Sequence, residues 1–246
     1  EWARSTKGRK GPFNIVAGAS AHPAFDKAGG SMDIPVKRVA LREGFKAEAS
    51  AMKAAIDDDT IMIVGSAPCF PHGVVDDIAE LGEIALDTDV WLHVDACVGG
   101  YPAPFVKRLG RVFPDFDFAV PGVRSLSADL HKFGFAPKPS STVLYRMEED
   151  FQRQIFDVDP WTYGRMTTST LVGTRSAGGI AGSWAVFKHL GIDGYTQVAA
   201  DLMEMVDGYV AGIEAIPGLQ MHVKPDLTII NFGSDEIDIF SVAEKM

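Results

Sequence analysis

Short runs of apolar and β-branched residues recur through the first 145 residues, at 13–18 (FNIVAG), 36–41 (VKRVAL), 61–67 (IMIVGSA), 90–96 (VWLHVDA), 116–120 (FDFAV), 125–129 (SLSAD) and 141–146 (STVLYR). Between them lie longer segments with helical spacing, Lys46 to Asp57 and Val74 to Leu86, the second placing Val75, Ile78, Ala79 and 81–84 at helix-like intervals. Strands that alternate with helices read as βα units, and successive units build a mostly parallel sheet flanked by helices. The expected fold class is therefore α/β.

Beyond Tyr145 the pattern changes. MEEDFQRQIF reads as a short helix, and 157–179 (DVDPWTYGRMTTSTLVGTRSAGG) reads as a long irregular segment of the kind that serves a site or an interface. Helices are expected at 180–190 and 195–216, then two strands, 219–225 and 227–233, of a smaller α+β unit. The expected division is a large domain over 1–190 and the start of a small carboxyl-terminal domain over 191–246. The chain opens on Glu1 rather than Met and closes on FSVAEKM in a helix-like pattern, so both ends read as cut.

Charge narrows the range of partners. The net charge is −10, and no basic cluster is longer than KGRK near the amino end, which argues against nucleic acid and anionic membranes. No apolar run approaches the roughly 20 residues that span a bilayer, and the amino end lacks the apolar core of a signal peptide. Two cysteines, Cys69 and Cys97, make no disulfide framework and suit a reducing compartment, so a cytoplasmic location is expected.

Ligands of open α/β sheets sit at the carboxyl ends of the strands. Asp95 ends the run VWLHVDA, with His93 two residues earlier and so on the same strand face. Asp129, His131 and Lys132 follow SLSA, and His22 follows the first strand. An amine and a carboxylate at two strand ends suit pyridoxal phosphate: the lysine forms a Schiff base, the acid keeps the pyridine nitrogen protonated, and an imidazole can stack on the ring. Each residue also has an ordinary explanation, Asp95 as a helix cap, the histidines as satisfied polar groups and Lys132 as a solvated surface charge. A metal-dependent hydrolase built on His72, Asp76, His93, Asp95 and His131 is a rival of another class, although no HExxH-type motif is present. No GxGxxG follows any candidate strand, which disfavours a nicotinamide site.

In this order, AHPAFDKA, PHGVVD, HVDAC, SADLHKFGFAPK and GTRSAGG resemble the pyridoxal-phosphate-dependent decarboxylase family, from about residue 12 to the end of the chain. HKFGFAPK is similar to the carbon–carbon lyase branch of that family, which acts on phosphorylated sphingoid bases. The resemblance implies an aspartate aminotransferase-like, fold type I architecture with a seven-stranded type of sheet. It implies a homodimer with shared active sites and a small-molecule amine substrate: a phosphorylated long-chain base, cleaved to a fatty aldehyde and phosphoethanolamine, or an amino acid that loses its carboxylate. By the same resemblance Lys132 forms the Schiff base, Asp95 pairs with the ring nitrogen, His22 stacks on the ring, His131 helps bind the cofactor phosphate, and Thr174 reaches the phosphate in the neighbouring subunit. Two departures stand out. The family's Gly/Ser/Thr-rich phosphate loop has no counterpart before Pro12, and Met166, beside Arg165, stands where the lyase branch carries a tyrosine.

Overall fold

The computed structural model describes residues 1–245. A six-stranded sheet forms its centre, built from β1 (Asn14–Gly18), β2 (Val36–Val39), β3 (Thr60–Ser66), β4 (Trp91–Asp95), β5 (Val123–Ala128) and β6 (Thr142–Tyr145), in the spatial order β2-β1-β3-β4-β5-β6. The first five strands run parallel, and β6 returns antiparallel to β5. The order reverses at β1, whose neighbours are β2 on one side and β3 on the other, which makes the carboxyl ends beside β1 a natural crevice. Every residue of β1 is buried, as expected of a strand covered on both faces.

Helices α1 (Trp2–Lys7), α2 (Ala24–Met32), α3 (Ala49–Ala55), α4 (Ile78–Thr88) and α5 (Ala103–Arg108) accompany these strands. α4 buries Ile78, Leu81, Gly82, Ile84 and Ala85 against the sheet. A Cβ on Gly122 would lie 2.2 Å from the Gly82 carbonyl oxygen, so both glycines permit the helix to approach the turn before β5. α4 begins four residues later than its spacing suggests. The buried Asp76 carboxylate accepts the amides of Ala47 (2.7 Å) and Ser66 (2.8 Å), which holds 74–77 out of the helix. α3 is likewise shorter than the expected 46–57.

Two further expectations are corrected. The run 116–120 is not a strand: Ala119 and Val120 donate to Asp117 in a turn, and Arg146 takes the carbonyls of Phe118 and Val120. Part of the irregular segment after α6 (Glu148–Gln152) is a hairpin of β7 (Phe156–Trp161) and β8 (Gly164–Thr168), closed by Arg165 and Thr167 on Asp157. The two later helices form α7 (Gly178–Glu214), continuous except at Gly191, whose φ of 58° breaks the helix between them. Its second half carries Ala199, Met203 and Val206 into the main core. β9 (Gln220–Val223), β10 (Asn231–Gly233) and α8 (Ile239–Ala243) complete the described chain.

Candidate active site

A cavity of about 340 Å³ lies over the carboxyl ends of the strands, lined by His22, Phe25, Ser66, Phe70, His93, Asp95, Cys97, Ser127, Asp129 and Lys132, among others. Five of the residues singled out from sequence, His22, His93, Asp95, Asp129 and Lys132, therefore meet in one place, and the volume falls within the ordinary range for small-molecule sites.

Strand register explains the meeting. Ser66, Asp95 and Ser127 are register partners on β3, β4 and β5, so their side chains share one face of the sheet. Asp95 Oδ1 accepts from Ser127 Oγ (3.3 Å) and from the Cys97 amide (3.1 Å), which fixes the carboxylate. Ser66 Oγ is buried and has no hydrogen-bond partner among the described residues. An orphaned buried hydroxyl at a ligand cavity is the kind of atom that a bound group satisfies. Cys97 Sγ donates to Ser127 Oγ (3.3 Å), and burial pushes its thiol well above the usual range, which makes it a poor nucleophile.

One dipeptide earlier on the same face, Ser125 Oγ bridges Trp91 Nε1 (2.7 Å) and His93 Nδ1 (2.8 Å). Burial pushes His93 down to about 4, with the Asp95 charge opposing. The unfolded chain binds that proton near the ordinary value of 6.5, so the stability contributed by neutral His93 is full above pH 6.5 and is lost as pH falls toward 4. We expect the fold to lose about 2 kcal/mol from this group between pH 7.5 and pH 5. Urea midpoints of the parent and His93→Gln at the two pH values test this, the variant showing the flatter response.

Lys132 sits in a tight turn after β5. The amides of Lys132, Phe135 and Ala136 donate to the carbonyls of Asp129, Lys132 and Leu130. A Cβ on Gly134 would lie 2.6 Å from the Leu130 oxygen, so only glycine fits there. Tyr195 of α7 donates to the Gly134 carbonyl (2.7 Å), stacks on Phe105 and lies against Phe135. FGFAPK is thus the segment that folds the lysine turn and docks it on α7. Lys132 Nζ lies 3.0 Å from Asp129 Oδ2. Burial alone would raise Asp129, but hydrogen bonds from Ser141 and Lys132 and the charges of Lys132 and His131 outweigh it and hold the carboxyl below the usual range.

Two expected residues, His131 and Thr174, lie outside the cavity, whereas His22 lines it from an exposed turn. His131 does not line the cavity; its Nδ1 lies 2.5 Å from the Ser140 oxygen and its Nε2 3.7 Å from Asp129. Thr174 is exposed in the loop before α7. His22 is exposed on its turn, and its Nδ1 accepts the Ala24 amide (3.1 Å). Ser66 and Ser127 complete the site and were not singled out from sequence; Asp129 was singled out but given no role. Only the pairing of β3, β4 and β5 identifies the two serines, whereas Asp129 stood beside Lys132 in plain view.

The proposed metal ligands do not converge. Asp76 is occupied by two amides, His72 lies against Phe45, and among the described residues no group of three or more His, Cys, Asp or Glu side chains is placed to hold a metal ion. The donor set instead fits pyridoxal phosphate: an amine for its aldehyde, a fixed carboxylate for its ring nitrogen, an imidazole and Phe25 beside a planar ring, and an orphaned hydroxyl.

The comparisons agree. Residues 5–234 match the pyridoxal-dependent decarboxylase conserved domain. The chain is 46% identical over all 246 of its residues to sphingosine-1-phosphate lyase of Oryza sativa subsp. japonica, covering 46% of that protein. It is 36% identical over 225 residues to L-aspartate decarboxylase of Thermococcus kodakarensis, covering 91% of this chain and 58% of that one. The solved sphingosine-1-phosphate lyase of Burkholderia pseudomallei superposes with a TM-score of 0.93 at 39% identity, over 99% of this chain and 55% of that one. The chain thus spans about half the length of the curated lyases that it matches. Its sheet and flanking helices are those of the fold type I pyridoxal phosphate enzymes. With the conserved domain matched over nearly its whole length, the chain belongs to the pyridoxal-dependent decarboxylase family.

Proposed function

We propose that this chain carries the catalytic centre of a carbon–carbon lyase that cleaves a phosphorylated long-chain base to a fatty aldehyde and phosphoethanolamine. The observation that carries the reading is the meeting of Lys132, Asp95 and His22 around one cavity, in a chain 46% identical to a sphingosine-1-phosphate lyase. Bound pyridoxal phosphate supplies an aldehyde that accepts an amine and a ring that takes up the electron pair of the broken bond. Lys132 Nζ, held by Asp129, offers the amine for that aldehyde. Asp95, fixed by Ser127 and the Cys97 amide, holds a proton at the ring nitrogen. His22, whose Nδ1 accepts from the Ala24 amide and whose ring lines the cavity, would cover one face of the cofactor ring. Groups on the substrate side of the cavity would choose between Cα–Cβ cleavage and decarboxylation.

The second reading, an amino-acid decarboxylase, is favoured by Met166 in place of the lyase tyrosine and by the similarity to L-aspartate decarboxylase. Incubating the cofactor-loaded protein with dihydrosphingosine 1-phosphate and with acidic and aromatic amino acids separates the two. Aldehyde release supports the lyase; carbon dioxide without aldehyde overturns it.

The active unit is a homodimer with shared sites. Exposed Trp161, Tyr163, Leu171, Val172, Ile180 and Trp184 cluster on the β7–β8 hairpin, the loop that follows and the start of α7, an apolar surface of the kind that marks an interface. Thr174 is exposed in that same loop, from where its hydroxyl would reach the partner's phosphate site; the role expected of His131 at the phosphate would require its ring to leave Ser140. Mixing Thr174→Ala subunits with Lys132→Ala subunits should restore activity to about a quarter to a half of the parent level, one site per mixed dimer being intact; no recovery argues against shared sites. The division into a cofactor-binding domain (1–190) and a small domain (191–246) would fall at Gly191, where α7 breaks, although Ala199, Met203 and Val206 beyond it pack into the main core. No helix among the described residues is long and apolar enough to cross a membrane. Both cysteines are free, which supports a reducing, cytoplasmic location.

A further inference from the structure

Arg38 lies on β2 beside Ala17 of β1, outside the cavity that holds Lys132. Its guanidinium reaches across to the turn that follows β1. Nη1 donates to the carbonyls of Gly18 and Ala21, each at 2.8 Å, and Nη2 to the carbonyl of His22 at 3.4 Å. The same head pairs with Asp26 in the first turn of α2. One planar cation thus joins the end of β1, the turn and the start of α2, and its side chain is only 25% exposed. The turn itself has few backbone bonds, Ala19 N–H to Val39 O (2.8 Å) and Ala21 N–H to Gly18 O (3.0 Å).

We propose that Arg38 is a positioning residue that sets the place of the His22 imidazole over the cavity. The path is short. Arg38 fixes the carbonyls of residues 18, 21 and 22; the backbone thus fixed places the Ala24 amide; and that amide, donating to His22 Nδ1 at 3.1 Å, sets the ring. Lysine cannot replace it, because a single ammonium centre cannot present the guanidinium's spread of donors to three carbonyls and a carboxylate. The inference rests on the reading of His22 as the residue that covers the cofactor ring.

The test compares the full chain with Arg38→Lys, which keeps a charge for Asp26, and with Arg38→Gln as a second variant in case the first is unstable. Hydrogen exchange read by mass spectrometry needs no cofactor. Amides of 19–25 should exchange about tenfold faster or more in the variants, while those of β3 to β5 keep their parent rates. In the protein loaded with pyridoxal phosphate, the visible circular dichroism band should weaken and kcat should fall about tenfold, whereas in a His22→Ala background the same change should alter kcat by less than about twofold. Unchanged exchange at 19–25 overturns the proposal, as does an undiminished loss of kcat in the His22→Ala background. Failure of the parent to develop a visible band would instead refute the cofactor reading, and the exchange rates would still decide whether Arg38 holds the turn.

Discussion

Lys132→Ala should leave a folded protein that no longer develops the visible band with pyridoxal phosphate, is no longer labelled when borohydride is added, and has lost turnover by about 10³-fold or more. The fold should survive because the Lys132 side chain is 36% exposed and its pair with Asp129 is open to solvent on one side. A pair of that kind contributes no more than about 1 kcal/mol. Asp129 also keeps its hydrogen bond from Ser141. The loss would therefore be chemical, since no other lysine lines the cavity. Persistence of the band in this variant would remove Lys132 from the role.

Asp95→Asn separates two functions that Lys132→Ala removes together. The amide oxygen can still accept from Ser127 and from the Cys97 amide, so the side chain should stay where it is. What disappears is the negative charge that favours a proton on the ring nitrogen, and with it the ring's capacity to take up an electron pair. The visible band should remain, shifted in position, and kcat should fall by about 10³-fold, the scale seen when one preorganised electrostatic partner is removed. Turnover at the parent level would show that Asp95 does not face the nitrogen. Loss of the band as well would show that it is needed for binding rather than for chemistry.

Much of the sheet was legible because strands announce themselves as apolar runs, and six of the seven expected runs coincide with β1 to β6, FDFAV being the exception. FDFAV has the composition of a strand but lacks a neighbour, since Arg146 takes two of its carbonyls and Asp117 turns the backbone. Nothing in a local window reveals a partner 26 or 28 residues away. The start of α4 was obscured for a related reason, because Asp76 is a long-range staple that looks like an ordinary acidic helix residue. At the site, Lys132, Asp95 and His22 could be found because each ends or follows a strand. Ser66 and Ser127 could not, because their place beside Asp95 depends on register, and a shift of one residue would turn them to the other face.

The antiparallel return of β6 governs what the lysine turn can tolerate. A parallel neighbour would have required a crossover of a dozen or more residues, usually through a helix, which can lengthen without disturbing the strands. Here the connection runs directly from Ala128 to Thr142, two residues that pair with each other across the ladder. Both ends of the turn are clamped to the same rung, so its length acts as a ruler for the height of the Lys132 amine above Asp95. Insertions in this segment should be far more damaging than insertions of equal size after α4, and a chain engineered for new substrates would do well to vary everything around that ruler before touching it.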